Sequence, residues 1–166
     1  MKLLALDLSS TIGFAVFDPN GLENKRVRFG TVDYDGLRGQ PVDIARLCGR
    51  FSDWLDDMYA VDPWDGCAWE APFLAPHDKV DKIKILIGLV GICFGFVGSR
   101  HHPMPWTEVQ PKEVKKRMTG RQDADKADVI AACWSVGWKV KNDHEADACG
   151  VGLVAYRRIW PARSVA

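Results

Sequence analysis

The chain has 166 residues, 47% of them hydrophobic and 27% charged, the balance of an ordinary water-soluble domain large enough for a core of its own. Its 22 basic and 22 acidic side chains cancel to a formal net charge of +0, which excludes a chain-wide basic field and leaves any polyanion binding to local patches. Five cysteines, odd in number and without a C-x-x-C pair, exclude a zinc ribbon or disulfide framework and fit reduced thiols in the cytoplasm.

In chain order, "KLLALDL" reads as a central strand, nearly apolar on both faces, and Asp7 interrupts it too early for a signal peptide. After the "SST" turn, "GFAVFD" is a second strand ended by "PNG", and "RVRFGTVDY" is a third, so the chain opens as an antiparallel meander. In "PVDIARLCGRFSDWLDDMY", Ile44, Leu47, Cys48, Phe51, Leu55 and Met58 recur at helical spacing. "GCAWEAP" is a short strand that carries Glu70 and stops at Pro72.

A helix is expected over Val80–Ser99. Its apolar run from Ile85 to Gly98 is 14 residues long, short of the ~20 that span a bilayer, so it is read as buried and no membrane is implied. Gly88, Gly91 and Gly95 would let another backbone approach, either inside the core or at an interface between two copies. "MPWTEV" is the last strand, and "PKEVKKRM" a helix opened by Pro111. "DKADVIAACWSVGW" and the segment from Asp143 to Trp160 are two further helices. The expected architecture is one α/β domain over residues 1–166, a three-strand antiparallel meander extended by parallel strands and flanked by helices.

The carboxylates carry the chemistry. Asp7 and Glu70 end otherwise apolar strands, and Asp147 enters an apolar helix, where unpaired charge is costly. Singly, each fits a cap or a solvated acid. Together they can converge oxygen ligands at one edge of a sheet, the environment that Mg²⁺ or Mn²⁺ prefers. Two such ions about 4 Å apart can activate water and stabilise a leaving oxygen in phosphodiester hydrolysis. His144 and Asp147, three apart, share a helix face, as Asp143 and Asp147 can; Glu145 is expected to point elsewhere, either solvated or near the helix N-terminus, where its charge is favourable. His144 reads either as a solvated first-turn residue or as a ligand or proton shuttle.

Between Lys112 and Lys126 stand six basic residues, Lys112, Lys115, Lys116, Arg117, Arg121 and Lys126, against three acids. They form either a solvated face or a phosphate-binding patch. Lys79, Lys82 and Lys84, near Phe73, could form a second small patch. Phe73, just past a proline at a strand end, is either core or an aromatic free to stack on a base.

The order of these parts resembles the RuvC family of Holliday-junction resolvases, of the RNase H-like superfamily, along nearly the whole chain. "LALDLSSTIGFAV" is similar to that family's first hairpin and "AWEAPF" to its glutamate strand. "EVQPKEVKKRMTG" with "ADKADV" resembles its lysine-bearing stretch, and "DHEADACGVGLVAY" its final helix, where H-x-x-D stands for an acidic pair. The turn "LSST", where many bacterial members carry proline and glycine, suggests a divergent branch of phage or prophage type.

The resemblance implies an RNase H-like fold and a crossover junction endodeoxyribonuclease that nicks four-way junctions symmetrically as a homodimer. Its catalytic residues would be Asp7, Glu70, His144, Asp147, Lys115 and Lys126. Asp7, Glu70, His144 and Asp147 would hold two Mg²⁺, with Mn²⁺ as a substitute. DNA would be met by Phe73, Lys79, Lys82, Lys112, Lys115, Lys116, Arg117, Arg121 and Lys126. The setting would be the cytoplasm, at the host nucleoid if the chain is phage-encoded. The rival expectations are a related nuclease for flaps or forks, a junction binder without cleavage, and a small actin-like phosphotransferase suggested by "DLSSTIG", for which the chain lacks a second half.

Overall fold

Alternation along the first strand divides the molecule. In β1 (Leu3–Asp7) every residue is buried, because the strand lies mid-sheet with both faces covered. Leu4 and Leu6 point to one core, Leu3 and Ala5 to the other. This computed structural model describes residues 1–18, 27–33, 43–99 and 103–161.

The sheet has five strands in the order β3-β2-β1-β4-β5. β2 (Thr11–Phe17) and β3 (Val27–Asp33) pair antiparallel with β1 and with each other in sequence, the expected meander. β4 (Gly66–Glu70) and β5 (Trp106–Val109) extend it in parallel, each entered from a helix. This is the expected α/β mixed sheet.

On one face lie α1 (Ile44–Val61), capped by Asp43 through the Arg46 N–H at 3.0 Å, and α2 (Val80–Gly98). The core beneath them is bulky: Leu4, Leu6, Ile12, Phe51, Leu55, Trp64, Trp69 and Leu89. Each buried side chain of this size contributes roughly 1.5–3 kcal/mol of apolar transfer. Gly88 is the close-approach glycine of α2, since a Cβ there would meet Cys48 Sγ of α1 at 2.9 Å.

On the other face lie α3 (Pro111–Thr119), α4 (Lys126–Ser135) and α5 (Asp143–Ile159). Here the alanines Ala5, Ala15, Ala68, Ala146, Ala148 and Ala155 are interleaved with the larger Leu3, Phe17, Val109, Trp138 and Val151. A Cβ on Gly152 would lie 2.0 Å from the Phe17 ring, and one on Gly150 would lie 2.4 Å from Val114. Those absent side chains let α5 settle onto the sheet and against α3.

Two boundaries differ from the sequence reading. The fourth helix stops at Ser135 rather than continuing through Trp138, because Gly137 takes a left-handed φ of 93° and turns the chain. The second strand starts at Thr11, two residues before "GFAVFD". Pro19–Gly21, Arg26, Tyr34, Pro41 and Val42 of the expected elements lie outside the described residues. No helix among the described residues is long and apolar enough to cross a membrane.

Candidate active site

The sheet register brings the first two acids together. Leu6 of β1 stands opposite Trp69 of β4, so the next residue on each strand, Asp7 and Glu70, stand side by side. Parallel neighbours lie about 4.8 Å apart. Strand parity puts both acids on the α5 face, in line with Ala5 and Ala68. They sit at the carboxyl ends of parallel strands, the edge where open α/β sheets bind ligands.

The third acid comes from α5, and a glycine sets how close that helix comes. Asn142 caps it, accepting from the Glu145 N–H at 2.9 Å. Gly13 of β2 is the cross-strand partner of Asp7, and a Cβ there would stand 2.0 Å from the His144 carbonyl oxygen. Only a residue without a side chain lets the first turn of α5 rest on this spot. His144 Nδ1 then reaches Asp7 Oδ2 at 2.6 Å, and that hydrogen bond raises the imidazole pKa, favouring the protonated donor. His144 is therefore neither free in water nor detached from the acids.

Burial and mutual repulsion govern the remaining pair. The Glu70 carboxyl is pushed up to about 8, first by burial and then by Asp7 and Asp147, with Lys115 opposing. Asp147 is pushed up to about 6 by burial, Asp7 and Asp143, with Lys126 and His144 opposing. Asp143 instead forms an ion pair with Lys126, whose hydrogen bond lowers the acid and raises the ammonium.

Asp7, Glu70, His144 and Asp147 thus share one electrostatic centre, with Lys115 and Lys126 beside it. Half-buried oxygen donors whose charges repel are a donor set that fits a hard divalent cation. Among the described residues, no three His, Cys, Asp or Glu side chains are already closed around a point that would hold an ion. Mg²⁺ commonly takes one or two carboxylates, completing its shell with water and substrate phosphate.

Beside Glu70 opens a cleft of about 240 Å³ lined by Leu8, Ser9, Glu70, Pro72, Phe73, Lys82 and others. Phe73 is 72% exposed, which excludes the core reading. Lys82 lines the cleft but pairs with Asp78 at 2.7 Å, while Lys79 lies exposed at the start of α2.

The basic stretch is divided by its helix. Lys115 serves the acidic centre, Lys112 is exposed, and Lys116 and Arg117 line a different groove against α5. Arg121 is already balanced by Asp123 at 3.2 Å and Asp128 at 3.7 Å.

One expectation is corrected. Glu145 lies in the first turn of α5, as one of its two readings had it, but not in solvent: it is 4% exposed, and its Oε2 accepts the Lys141 N–H at 2.7 Å, tying the entry loop to α5. The sequence reading passed over Gly13, whose importance arises from a contact 131 positions along the chain; the only local sign was a glycine inside an apolar strand.

Fold and site together define an RNase H-like α/β domain with an acidic centre at the sheet edge. The particular version of that fold is the one seen in RuvC. The chain superposes on the Thermus thermophilus RuvC structure in complex with Holliday junction substrate with a TM-score of 0.72 at 17% identity, covering 95% of each chain. Another Thermus thermophilus RuvC structure gives a TM-score of 0.65 at 20% identity over 92% of each chain. The yeast mitochondrial Holliday junction resolvase Ydc2 gives 0.53 at 12% identity, covering 90% of this chain and 75% of that one. No family model matches the sequence.

Proposed function

We propose that this chain is a divalent-metal-dependent endodeoxyribonuclease that resolves four-way DNA junctions by paired symmetric nicks, a crossover junction endodeoxyribonuclease. The observation that carries the reading is the convergence of Asp7, Glu70 and Asp147 from β1, β4 and α5 at one sheet edge, with Lys115 and Lys126 beside them. The fold shared with a RuvC solved on a Holliday junction supports the choice of substrate.

Asp7, Glu70, Asp147 and His144 would hold two Mg²⁺, or Mn²⁺ in their place. Bound there, the ions would supply activated water and charge stabilisation at the leaving oxygen. The protein's part is to hold the carboxylates. Parallel register fixes Asp7 beside Glu70, and the hydrogen bond from His144 orients Asp7. Glu70, raised to about 8 by burial and the neighbouring acids, is the carboxyl that would release a proton on binding a cation. Lys115 and Lys126 bring positive charge to the phosphate, and exposed Phe73 stacks on an unpaired base. Phosphates farther out are met by Lys79, Lys82, Lys112 and Lys116.

A homodimer suits the near two-fold symmetry of the substrate. The outward stripe of α2, with Val80, Ile87 and Phe94 exposed at seven-residue intervals beside the open Gly91 and Gly95, is the face we assign to it. We assign it to the cytoplasm, at the host nucleoid if the chain is phage-encoded.

The test compares a synthetic four-way junction, a flap and a linear duplex in Mg²⁺, Mn²⁺ or EDTA, with Asp147→Asn alongside. Paired symmetric nicks in the junction, lost with EDTA and in the variant, are the expected result. Preference for the flap would move the enzyme to other branched DNA. Binding without metal-dependent cutting would overturn the nuclease reading.

A further inference from the structure

The far half of α5 faces a feature that the acidic centre does not use. Glu113, Lys116 and Arg117 of α3 and Leu153, Val154, Arg157 and Arg158 of α5 line a groove of about 440 Å³. On each helix the lining residues fall at three- and four-residue steps, so two helix faces meet across one trough. Four cations stand against a single acid, and that acid is spent: Glu113 is ion-paired with Arg158 and accepts the Gln110 N–H at 3.0 Å. Arg158 also donates to the Glu108 carbonyl at 2.9 Å, so it serves as a fixed wall. Lys116, Arg117 and Arg157 are exposed, and no ion pair among the described residues engages them.

We infer that this groove is a second seat for the DNA backbone, holding phosphates of a duplex arm away from the cleaved bond; the inference rests on the nuclease reading above. Charge complementarity selects the occupant. In a chain whose net charge is +0, three uncompensated cations spread over two helices match a repeating polyanion. The floor of Leu153 and Val154 supports the alkyl stems of the arginines and leaves their heads outward. Ten residues of α5 separate Asp147 from Arg157, about 15 Å along the helix axis. At about 3.4 Å per base pair, that places the contacted phosphates roughly four to five base pairs or more from the cleavage point.

Arg157→Ala and Arg157→Glu test this in the full chain, by fluorescence anisotropy on a four-way junction in EDTA across a salt series. A second set of junctions carries neutral methylphosphonates four to six steps from the cleaved bond. We expect Arg157→Ala to weaken binding several-fold and to lower the slope of log affinity against log salt by about 1. Methylphosphonates are expected to weaken the wild type but not the variant, the coupling that marks a direct contact. Unchanged affinity and slope in both variants would overturn the inference, as would methylphosphonates that weaken wild type and variant equally. Normal junction binding with lost binding to poly-glutamate would overturn it in favour of an acidic protein partner. A wild type that binds no junction would instead bring down the nuclease reading itself.

Discussion

The two faces of the sheet are built from opposite materials. Under α1 and α2 the contacts are large rings and leucines, with Trp64 stacked on Phe96 at 5.6 Å and Trp69 on Trp106 at 5.3 Å. Under α5, alanines and glycines stand among Leu3, Phe17, Trp138 and valines, and the two strand-end acids point the same way. The bulky face holds the sheet by buried volume. The small-residue face gives up that volume so that a helix N-terminus can lie against backbone, where its acid meets two others. The buried carboxylates of strands β1 and β4 thus fall on the face where small residues let α5 come close.

The sharpest way to break this division is to remove charge from the thin side. Asp7→Asn or Asp147→Asn should abolish Mg²⁺-dependent junction cleavage, by more than the roughly 10- to 100-fold typical of outer-shell partners, while melting stays near wild type. Residual cleavage above that range, measured by single-turnover assays, would remove these acids from the centre. On the bulky side the effect should reverse. Phe51→Ala should cost about 3–5 kcal/mol of unfolding free energy in denaturant titrations, with cleavage per folded molecule retained.

Gly13→Ala probes the boundary between the two. A methyl group driven into the His144 carbonyl should cost about 1–3 kcal/mol through overpacking and reduce cleavage by displacing α5 from Asp7. Wild-type activity in a folded Gly13→Ala protein would show that α5 need not lie so close.

A further effect is in pH. Glu70 titrates near 8 in the folded metal-free chain, above the roughly 4.3 of an unfolded glutamate, so the native state holds its proton more tightly. Stability that this group provides is full below the unfolded value and is lost as pH rises through the folded one. His144, also raised, changes in the same direction from about 6.5 upward. The melting temperature in EDTA should therefore fall between pH 5 and 8. Mg²⁺ should restore more of it at pH 8 than at pH 6, and Glu70→Gln should flatten the dependence. A flat wild-type profile would contradict the burial of Glu70.

Much of this was legible in the chain. The succession of strands and helices follows from apolar runs and helical spacing, while the convergence of Asp7 and Glu70 was an inference from two acids ending apolar strands and from the family resemblance; their side-by-side register is read only from the structure. Phe73 remained open between core and surface, since a proline at a strand end settles direction but not depth. Glu145 was misread because an acid in a first helical turn ordinarily meets water, whereas here the loop before α5 folds back to use its carboxylate. The split between Lys115, turned to the acids, and Lys116, turned to the outer groove, depends on where α5 crosses α3, a contact between segments some 40 residues apart.

The parallel register between β1 and β4 also bears on how such a sequence can change through descent. Neighbouring positions on a strand face opposite ways, so loss or gain of one codon within either strand would turn its acid toward α1 and α2 and strand it in hydrocarbon. Substitution can explore these two segments residue by residue, but length cannot. Lineages carrying this domain should therefore vary in loop length while β1 and β4 keep their spacing to Asp7 and Glu70 unaltered.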